Sequence, residues 1–265
     1  MIIRNFGVKS KIIFFGNGTL ADYALGVLSQ EAEVIFHART REDLARAVEL
    51  KHENPEAVGV LASFGVMIKS DVLEAFEPGG ILNIHPSLLP LYRGPSPIES
   101  AIINGDTEFS VSVMKLVKAM DAGPIYWQKT FDNLPLCKND IYKTLAEAGA
   151  EWIIENISSL PTPVAQENEK ATFTRKFEKN DGAVDFSDST TEEAYRKIVA
   201  FQGFPKVKYS FFGVPCIILE ARVMKPGETA LLTIPCLEGA LAVEKLQPEG
   251  RKAMDAKSFL NGYKK

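Results

Sequence analysis

Short apolar segments alternate with amphipathic segments over the first 156 residues, and this alternation limits the folds open to the chain more than any other feature. Strands joined by helices form a sheet covered by helices, so the pattern predicts an α/β domain with a predominantly parallel sheet. The predicted strands are 11–16, 33–38, 57–62, 81–84, 110–116 and 125–131. The predicted helices are 19–28, 41–50, 71–76, 97–104 and 139–156, with Thr19 and Thr40 as N-caps of the first two.

A proline-containing polar stretch follows the last of these helices and has the composition of a linker. The sequence therefore predicts a first domain over 1–160, a linker over 161–170 and a second domain over 171–265. In the second domain we expect one helix over 191–200 and short strands over 206–211, 214–223, 230–234 and 240–244. Short strands separated by Gly and Pro predict a small β-barrel, open in the manner of an OB domain.

Composition excludes several classes of protein. Hydrophobic residues make up 46% of the chain and charged residues 24%, which is typical of a globular protein and not of disordered or fibrous chains. The longest early apolar run, 12–15, is too short for a membrane span or a secretory segment. Three widely spaced cysteines indicate neither a disulfide framework nor a CxxC metal site. We expect a protein of the reducing cytosol that needs no metal.

Charge is distributed unevenly along the chain. Residues 170–265 hold 16 Lys and Arg against 12 Asp and Glu, a net charge of +4, whereas residues 1–169 carry −8. A basic second domain favours an anionic partner, and an ordinary imbalance of solvated surface charge is the alternative.

The sequence Gly16-Asn17-Gly18-Thr19-Leu20-Ala21 lies between a predicted strand and a predicted helix. Glycines in that position let backbone N–H groups approach an anion at the helix N-terminus, so Gly16, Asn17 and Gly18 are candidate substrate-binding residues. A nicotinamide site would also need an acidic residue at the end of the second strand, where Ala38 and Arg39 stand instead. A tight turn that needs small residues for packing is the alternative.

A second candidate lies at the end of the fourth predicted strand, where Asn83 and His85 project from the same face because strand residues alternate. An amide donor beside a titratable imidazole can polarise a carbonyl and stabilise an oxyanion, as acyl transfer requires. Asp121 lies in a loop between two later strands. A carboxylate beside a histidine orients the ring and favours its charged form, although Asp in such a loop is often only a turn residue.

The segments ILNIHPSLLPLYRGPSPIESAIINGD and MDAGPIY are similar to the catalytic block of the N10-formyltetrahydrofolate-dependent formyltransferase family. The segments ATFTRKFEKNDGAVDFS and KLQPEGRKAMDAKSFLNGY resemble the second domain of its tRNA-specific members. The resemblance covers most of the chain. It implies a Rossmann-like catalytic domain followed by an OB-like domain.

The resemblance also implies an activity and a set of functional residues. Asn83, His85 and Asp121 would be the catalytic residues for formyl transfer from 10-formyltetrahydrofolate to the amino group of initiator methionyl-tRNA. The residues implied for the donor are Ser63, Phe64, Gly65, Val66, Met67, Ile68, Ser87, Leu88, Leu89, Pro90, Met120 and Gly123, with the backbone of the first six and the loop at 120–123 around the pterin. Lys206, Lys208, Arg251 and Lys252 would contact tRNA phosphates, unless they are ordinary solvated side chains.

Two departures from the family pattern concern the acceptor. Only 39–56 separates the second and third predicted strands, where the tRNA-specific members carry a long basic insertion, and the GNGTLA turn is more like that of glycinamide ribonucleotide formyltransferase. An N-formyltransferase of an amino-sugar nucleotide or another small amine is therefore an alternative. An NADP-binding oxidoreductase and a non-catalytic RNA-binding protein are alternatives of other classes.

Overall fold

The computed structural model describes residues 9–263, which form two units. The first contains the residues up to Pro97 together with Thr107–Pro135 and Asn139–Thr174. The second contains Ile98–Asp106, Leu136–Lys138 and the residues from Arg175 onward.

One mixed sheet forms the centre of the first unit. Its strands are β1 (Lys11–Gly16), β2 (Glu33–Ala38), β3 (Val58–Ala62), β4 (Ile81–His85), β5 (Glu108–Lys115) and β6 (Ile125–Asp132), in the order β2-β1-β3-β4-β5-β6. The pairs among β1 to β4 are parallel, whereas β5 and β6 are antiparallel to their neighbours. The predicted α/β class with a predominantly parallel sheet is confirmed.

Continuous apolar strands explain why this sheet is buried. Ile12, Ile13, Phe14 and Phe15 of β1 have no exposed surface, as expected of a strand covered on both faces. The helices of this part of the chain are α1 (Thr19–Glu31), α2 (Asp43–Glu53), α3 (Ser70–Ala75), α4 (Pro97–Asn104) and α5 (Lys138–Asn156). Most of α4 belongs to the second unit, where Ile103 O accepts a hydrogen bond from Arg196 Nε at 3.3 Å.

The two predicted N-caps are wrong. Helix α1 follows Gly18, whose φ of 80° puts it in the left-handed region, so Thr19 is the first helical residue. Helix α2 begins at Asp43, whose Oδ2 accepts the backbone N–H groups of Arg39 and Thr40, each at 2.8 Å. The Asp43 carboxylate thus bonds the backbone just before the helix, and α2 has no side-chain N-cap.

The second unit contains a curled antiparallel sheet of five strands, as predicted for the C-terminal domain. These are β7 (Lys208–Phe211), β8 (Val214–Val223), β9 (Thr233–Pro235), β10 (Ala240–Pro248) and β11 (Met254–Asp255), in the order β11-β10-β8-β7 with β9 paired to β10. The helices α6 (Thr191–Ala200) and α7 (Ala256–Tyr263) complete the unit. The sequence pattern did not predict β11 or α7, and it ended β10 too early.

Local hydrogen bonds fix two parts of this unit. Thr190 caps α6, because its Oγ1 accepts from Glu193 N at 3.2 Å while Glu193 Oε2 accepts from Thr190 N at 2.9 Å. Glu228 pairs with Arg222 at 2.6 Å, and this hydrogen-bonded pair lowers the pKa of the Glu228 carboxyl to about 2. Within residues 9–263, no helix is long and apolar enough to cross a membrane.

Candidate active site

Asn83 and His85 occupy the end of β4 and are buried, with 4% and 5% of their surface exposed. They lie two positions apart on one strand, so their side chains share a face of the sheet. The register of β4 with β5 sets Asn83 opposite Met114 and His85 opposite Ser112. The strand thus presents an amide and an imidazole together from a rigid element.

Asp121 contacts both side chains from the loop between β5 and β6. Its Oδ1 accepts from Asn83 Nδ2 at 3.5 Å, and its Oδ2 lies 3.7 Å from His85 Nδ1. Its backbone has a φ of 48°, a left-handed conformation that is uncommon outside glycine. The structure therefore brings together the three residues that the sequence and the resemblance singled out.

Both ring nitrogens of His85 face oxygen atoms that can only accept hydrogen bonds. Nε2 lies 3.1 Å from the carbonyl oxygen of Tyr92, and Nδ1 faces the Asp121 carboxylate. Each of these oxygens can accept a hydrogen bond from the ring nitrogen that it faces. At 3.7 Å, however, the carboxylate is too far from Nδ1 for a hydrogen bond, so a proton on Nδ1 and the Asn83 amide could both be offered to negative charge on a substrate oxygen.

Gly94 completes the surroundings of the carboxylate and was missed by the sequence analysis. Its N–H donates to Asp121 Oδ2 at 2.7 Å. Its φ is 117°, and a Cβ there would lie 2.7 Å from Thr174 O and Oγ1, so only glycine fits. The Arg-Gly pair within the PSLLPLYRGP block could have drawn attention to Gly94, although nothing in the sequence pattern linked it to Asp121.

The loop at 87–90 is fixed from the neighbouring strands. Ser112 Oγ donates to Ser87 O at 2.6 Å and accepts from Leu89 N at 3.1 Å and from Gln128 Nε2 at 2.9 Å. Gln128 Nε2 also donates to Leu89 O at 2.9 Å. Leu88 is 41% exposed. The buried Ser112 hydroxyl thus holds the loop that the resemblance assigns to donor binding.

The segment 63–68 follows β3, at the same edge of the sheet as the end of β4 because the two strands are parallel. Ser63 and Gly65 have left-handed φ values of 50° and 69°. Phe64 and Ile68 point into the core, which leaves only their backbone for a ligand, whereas Met67 is 70% exposed. The segment thus offers backbone groups and one apolar side chain.

The loop that carries Asp121 also contains Met120 and Gly123. Met120 is 57% exposed. A Cβ at Gly123 would lie 1.8 Å from Lys115 O, so the loop passes too close to β5 for any other residue. Exposed apolar side chains therefore occur on three loops of this unit, at Met67, Leu88 and Met120.

The glycine-rich turn after β1 has a structural explanation for each of its three residues. A Cβ at Gly16 would lie 2.3 Å from Ala62 O, and Gly18 needs its positive φ to start α1. Asn17 Nδ2 donates to Arg39 O at 3.0 Å and to Phe64 O at 3.2 Å. An anion site at this turn stays a prediction.

The four candidate phosphate-binding side chains are exposed and belong to the second unit. Lys208 of β7 pairs with Ile217 of β8, and Ile217 pairs with Gln247 of β10. Gln247 Nε2 donates to Arg251 O at 2.9 Å. Lys208 and the turn of Arg251 and Lys252 thus lie at one end of the sheet, and Lys206 lies just before β7.

No group of three His, Cys, Asp or Glu side chains within residues 9–263 is arranged to hold a metal ion. The site is built instead from one amide, one imidazole and one carboxylate. This set of groups handles protons and oxyanions.

Comparison with known families decides what kind of protein has this site. Residues 14–157 match the family described as formyl transferase, and residues 176–264 match the formyl transferase C-terminal domain. The chain belongs to the formyl transferase family. The site at the end of β4 lies inside the first matched region, and the basic positions lie inside the second.

Individual relatives in the formyl transferase family match most of the chain. A methionyl-tRNA formyltransferase of Roseiflexus castenholzii is 34% identical over 246 residues, which is 87% of this chain and 78% of that protein. Two solved structures share the fold at 19% and 17% identity. HypX from Aquifex aeolicus in complex with tetrahydrofolic acid has a TM-score of 0.74 over 98% of this chain, which spans about half (48%) of HypX. The sugar 3N-formyltransferase WlaRD has a TM-score of 0.64 and is covered completely, along 93% of this chain.

Proposed function

We propose that the protein transfers the formyl group of 10-formyltetrahydrofolate to the amino group of initiator methionyl-tRNA. The observation that carries the proposal is the buried contact of Asn83, His85 and Asp121 in a chain of the formyl transferase family. The acceptor follows from relatives named methionyl-tRNA formyltransferase, which match along both units.

In the proposed reaction the amino nitrogen attacks the formyl carbon, and the carbonyl oxygen becomes an oxyanion. Asn83 Nδ2 and a ring N–H of His85 donate hydrogen bonds to that oxygen. Asp121 orients the ring. The bond between the formyl carbon and N10 then breaks. The proton lost by the attacking nitrogen passes to N10, and tetrahydrofolate leaves.

The loops around the trio suit the donor substrate. Met67, Leu88 and Met120 offer exposed apolar surface for the pterin and its linker, and the backbone at 63–68 offers N–H and C=O groups for the edge of the ring. Tetrahydrofolic acid bound to the related fold of HypX supports this assignment.

The second unit would supply the contacts with tRNA. Lys206, Lys208, Arg251 and Lys252 are exposed and could neutralise backbone phosphates. Phe212, 59% exposed in the turn that joins β7 to β8, adds an aromatic face on which a base could stack.

One observation favours an amino-sugar nucleotide as the acceptor instead. Only four residues, 39–42, separate β2 from α2, so the region where tRNA-specific members carry a basic insertion is short. The fold of WlaRD supports this second candidate, which would keep the same donor chemistry.

The test uses 10-formyltetrahydrofolate labelled in the formyl group, incubated with the protein and initiator methionyl-tRNA. We expect label on the methionyl amino group and one tetrahydrofolate for each formyl group transferred. Label that stays on the donor with methionyl-tRNA and with amino-sugar nucleotides alike would overturn the proposal.

A further inference from the structure

The segment 164–174, which we call the strap, packs along the first unit although its composition predicts a linker. Val164 exchanges two backbone hydrogen bonds with Ile125, both at 2.8 Å. Arg93 N donates to Thr172 O at 2.9 Å, and Thr174 N donates to Arg93 O at 2.7 Å. The strap is thus hydrogen-bonded to Ile125, which follows the Asp121 loop, and to Arg93, which precedes Gly94.

Gln166 is the strap residue that reaches the catalytic loop. Its Nε2 donates to the carbonyl oxygens of Asp121 at 2.9 Å and Gly123 at 2.7 Å. Its Oε1 accepts from Arg93 Nε at 3.1 Å and from Arg93 Nη2 at 2.6 Å. Carbonyl oxygens only accept and a guanidinium only donates, so these partners fix the orientation of the amide.

These contacts form a closed circuit around Asp121. Gln166 holds the backbone carbonyl of Asp121, and Arg93 holds Gln166. Gly94, covalently next to Arg93, donates its N–H to the Asp121 carboxylate. Arg93 is only 4% exposed, which makes it a rigid anchor for the circuit.

Asp121 has a left-handed backbone with a φ of 48°, a conformation that residues other than glycine adopt uncommonly and that hydrogen bonds to the loop can stabilise. Its neighbour Met120 is 57% exposed and adds little packing to the loop. The 3.7 Å between the carboxylate and His85 is beyond hydrogen-bond distance, so this contact does not by itself fix the carboxylate. Misplacing a catalytic group by about 1 Å can cost about 10²-fold in rate.

We propose that Gln166 is a positioning residue for formyl transfer, which fixes the Asp121 loop so that the carboxylate faces His85 and Asn83. The catalytic part of this inference rests on the proposed function. The positioning part makes a separate claim about the free protein, namely that the Gly94 N–H stays bonded to Asp121 only while Gln166 holds the loop.

The test is Gln166→Glu compared with Asn168→Asp. Glutamate keeps an oxygen for the buried Arg93 but has no N–H for the carbonyls of Asp121 and Gly123. Asn168 Oδ1 accepts from Arg93 Nη2 at 2.8 Å, so Asn168→Asp adds the same charge beside the same guanidinium without altering the Gln166 amide. Gln166→Met repeats the test without added charge if the glutamate variant does not fold.

We expect Gln166→Glu to lower kcat at least about tenfold while KM for the acceptor stays within about twofold and the melting temperature is kept. Amide exchange at Gly94, followed by NMR, should become at least about tenfold faster. Asn168→Asp should leave both quantities near wild type. Unchanged kcat and unchanged Gly94 exchange in a folded Gln166→Glu would overturn the inference. If the wild type transfers no formyl group, the proposed function fails, and Gly94 exchange alone decides the positioning claim.

Discussion

Asp121 Oδ2 lies 3.7 Å from His85 Nδ1, and both side chains are largely buried, at 15% and 6% exposed. The contact joins a strand end to a distant loop. Because the carboxylate can only accept, it favours a proton on the ring nitrogen that faces it. The pair places an imidazole donor beside the amide donor Asn83.

Removing either donor should disable the chemistry. His85→Ala and Asn83→Ala should each lower formyl transfer by at least about 10²-fold, because each deletes a group aimed at the developing oxyanion. Steady-state kinetics would measure the loss, with circular dichroism to check the fold. His52→Ala, an exposed histidine on α2, is the matched control and should stay at wild-type rate. Near wild-type turnover in both site variants would contradict the assignment of Asn83 and His85 as catalytic residues.

Replacing Asp121 by Asn removes the charge of the side chain and keeps its shape, so it tests the role of the charge alone. Asparagine can still accept the Gly94 N–H through Oδ1, so the loop is expected to persist. Activity should fall at least about tenfold, because a neutral amide replaces the carboxylate that orients the His85 ring. Full activity in this variant, measured by steady-state kinetics, would show that Asp121 is only a turn residue.

Ser112 should matter for donor binding through the loop it holds. Ser112→Ala leaves Ser87 O and Leu89 N without their partner, which costs about 1–3 kcal/mol for a buried group. KM for the donor should rise several-fold while the acceptor KM stays the same. Ser110→Ala is the control on the same face of β5, where Ser110 Oγ bonds to Thr130 Oγ1 at 2.9 Å. Equal donor KM values for the two variants would contradict this role.

The strands of the first unit were predicted well because several are continuous apolar runs, such as Ile12–Phe15 of β1, bounded by glycines and polar turns. The second unit was harder. Strand β10 extends past Glu244 through Lys245 to Pro248, and its two exposed charged residues conceal the strand pattern. Strand β11 has only two residues, too few for any alternation.

At the site, the sequence could indicate Asn83 and His85 because they share one strand, and it offered Asp121 as a loop carboxylate that the resemblance then linked to them. The sequence could not indicate that Gln166, Arg93 and Gly94 hold the Asp121 loop in place. These residues meet only through tertiary packing, and a polar stretch with prolines has the same composition whether it is a free linker or packs along a unit.

The basic positions of the second unit should govern affinity for tRNA and leave donor binding unchanged. Neutralising Lys206, Lys208, Arg251 and Lys252 together should weaken tRNA binding and lower its salt slope by up to about 0.9 for each phosphate that is no longer neutralised. Filter binding at several salt concentrations measures the slope. Lys245→Gln is the control, because Lys245 is already paired with Glu220 at 3.1 Å. An unchanged slope in the fourfold variant would mean that these residues do not bind tRNA.

The most direct test compares acceptors for the wild-type protein. Initiator methionyl-tRNA and amino-sugar nucleotides are offered at matched concentration with 10-formyltetrahydrofolate, and kcat/KM is measured for each. We predict formylation of methionyl-tRNA at least about 10²-fold more efficient than that of any amino sugar, since both units match methionyl-tRNA formyltransferases. A preference for the amino sugar would contradict the acceptor assignment, and no transfer to either acceptor would contradict the chemistry itself.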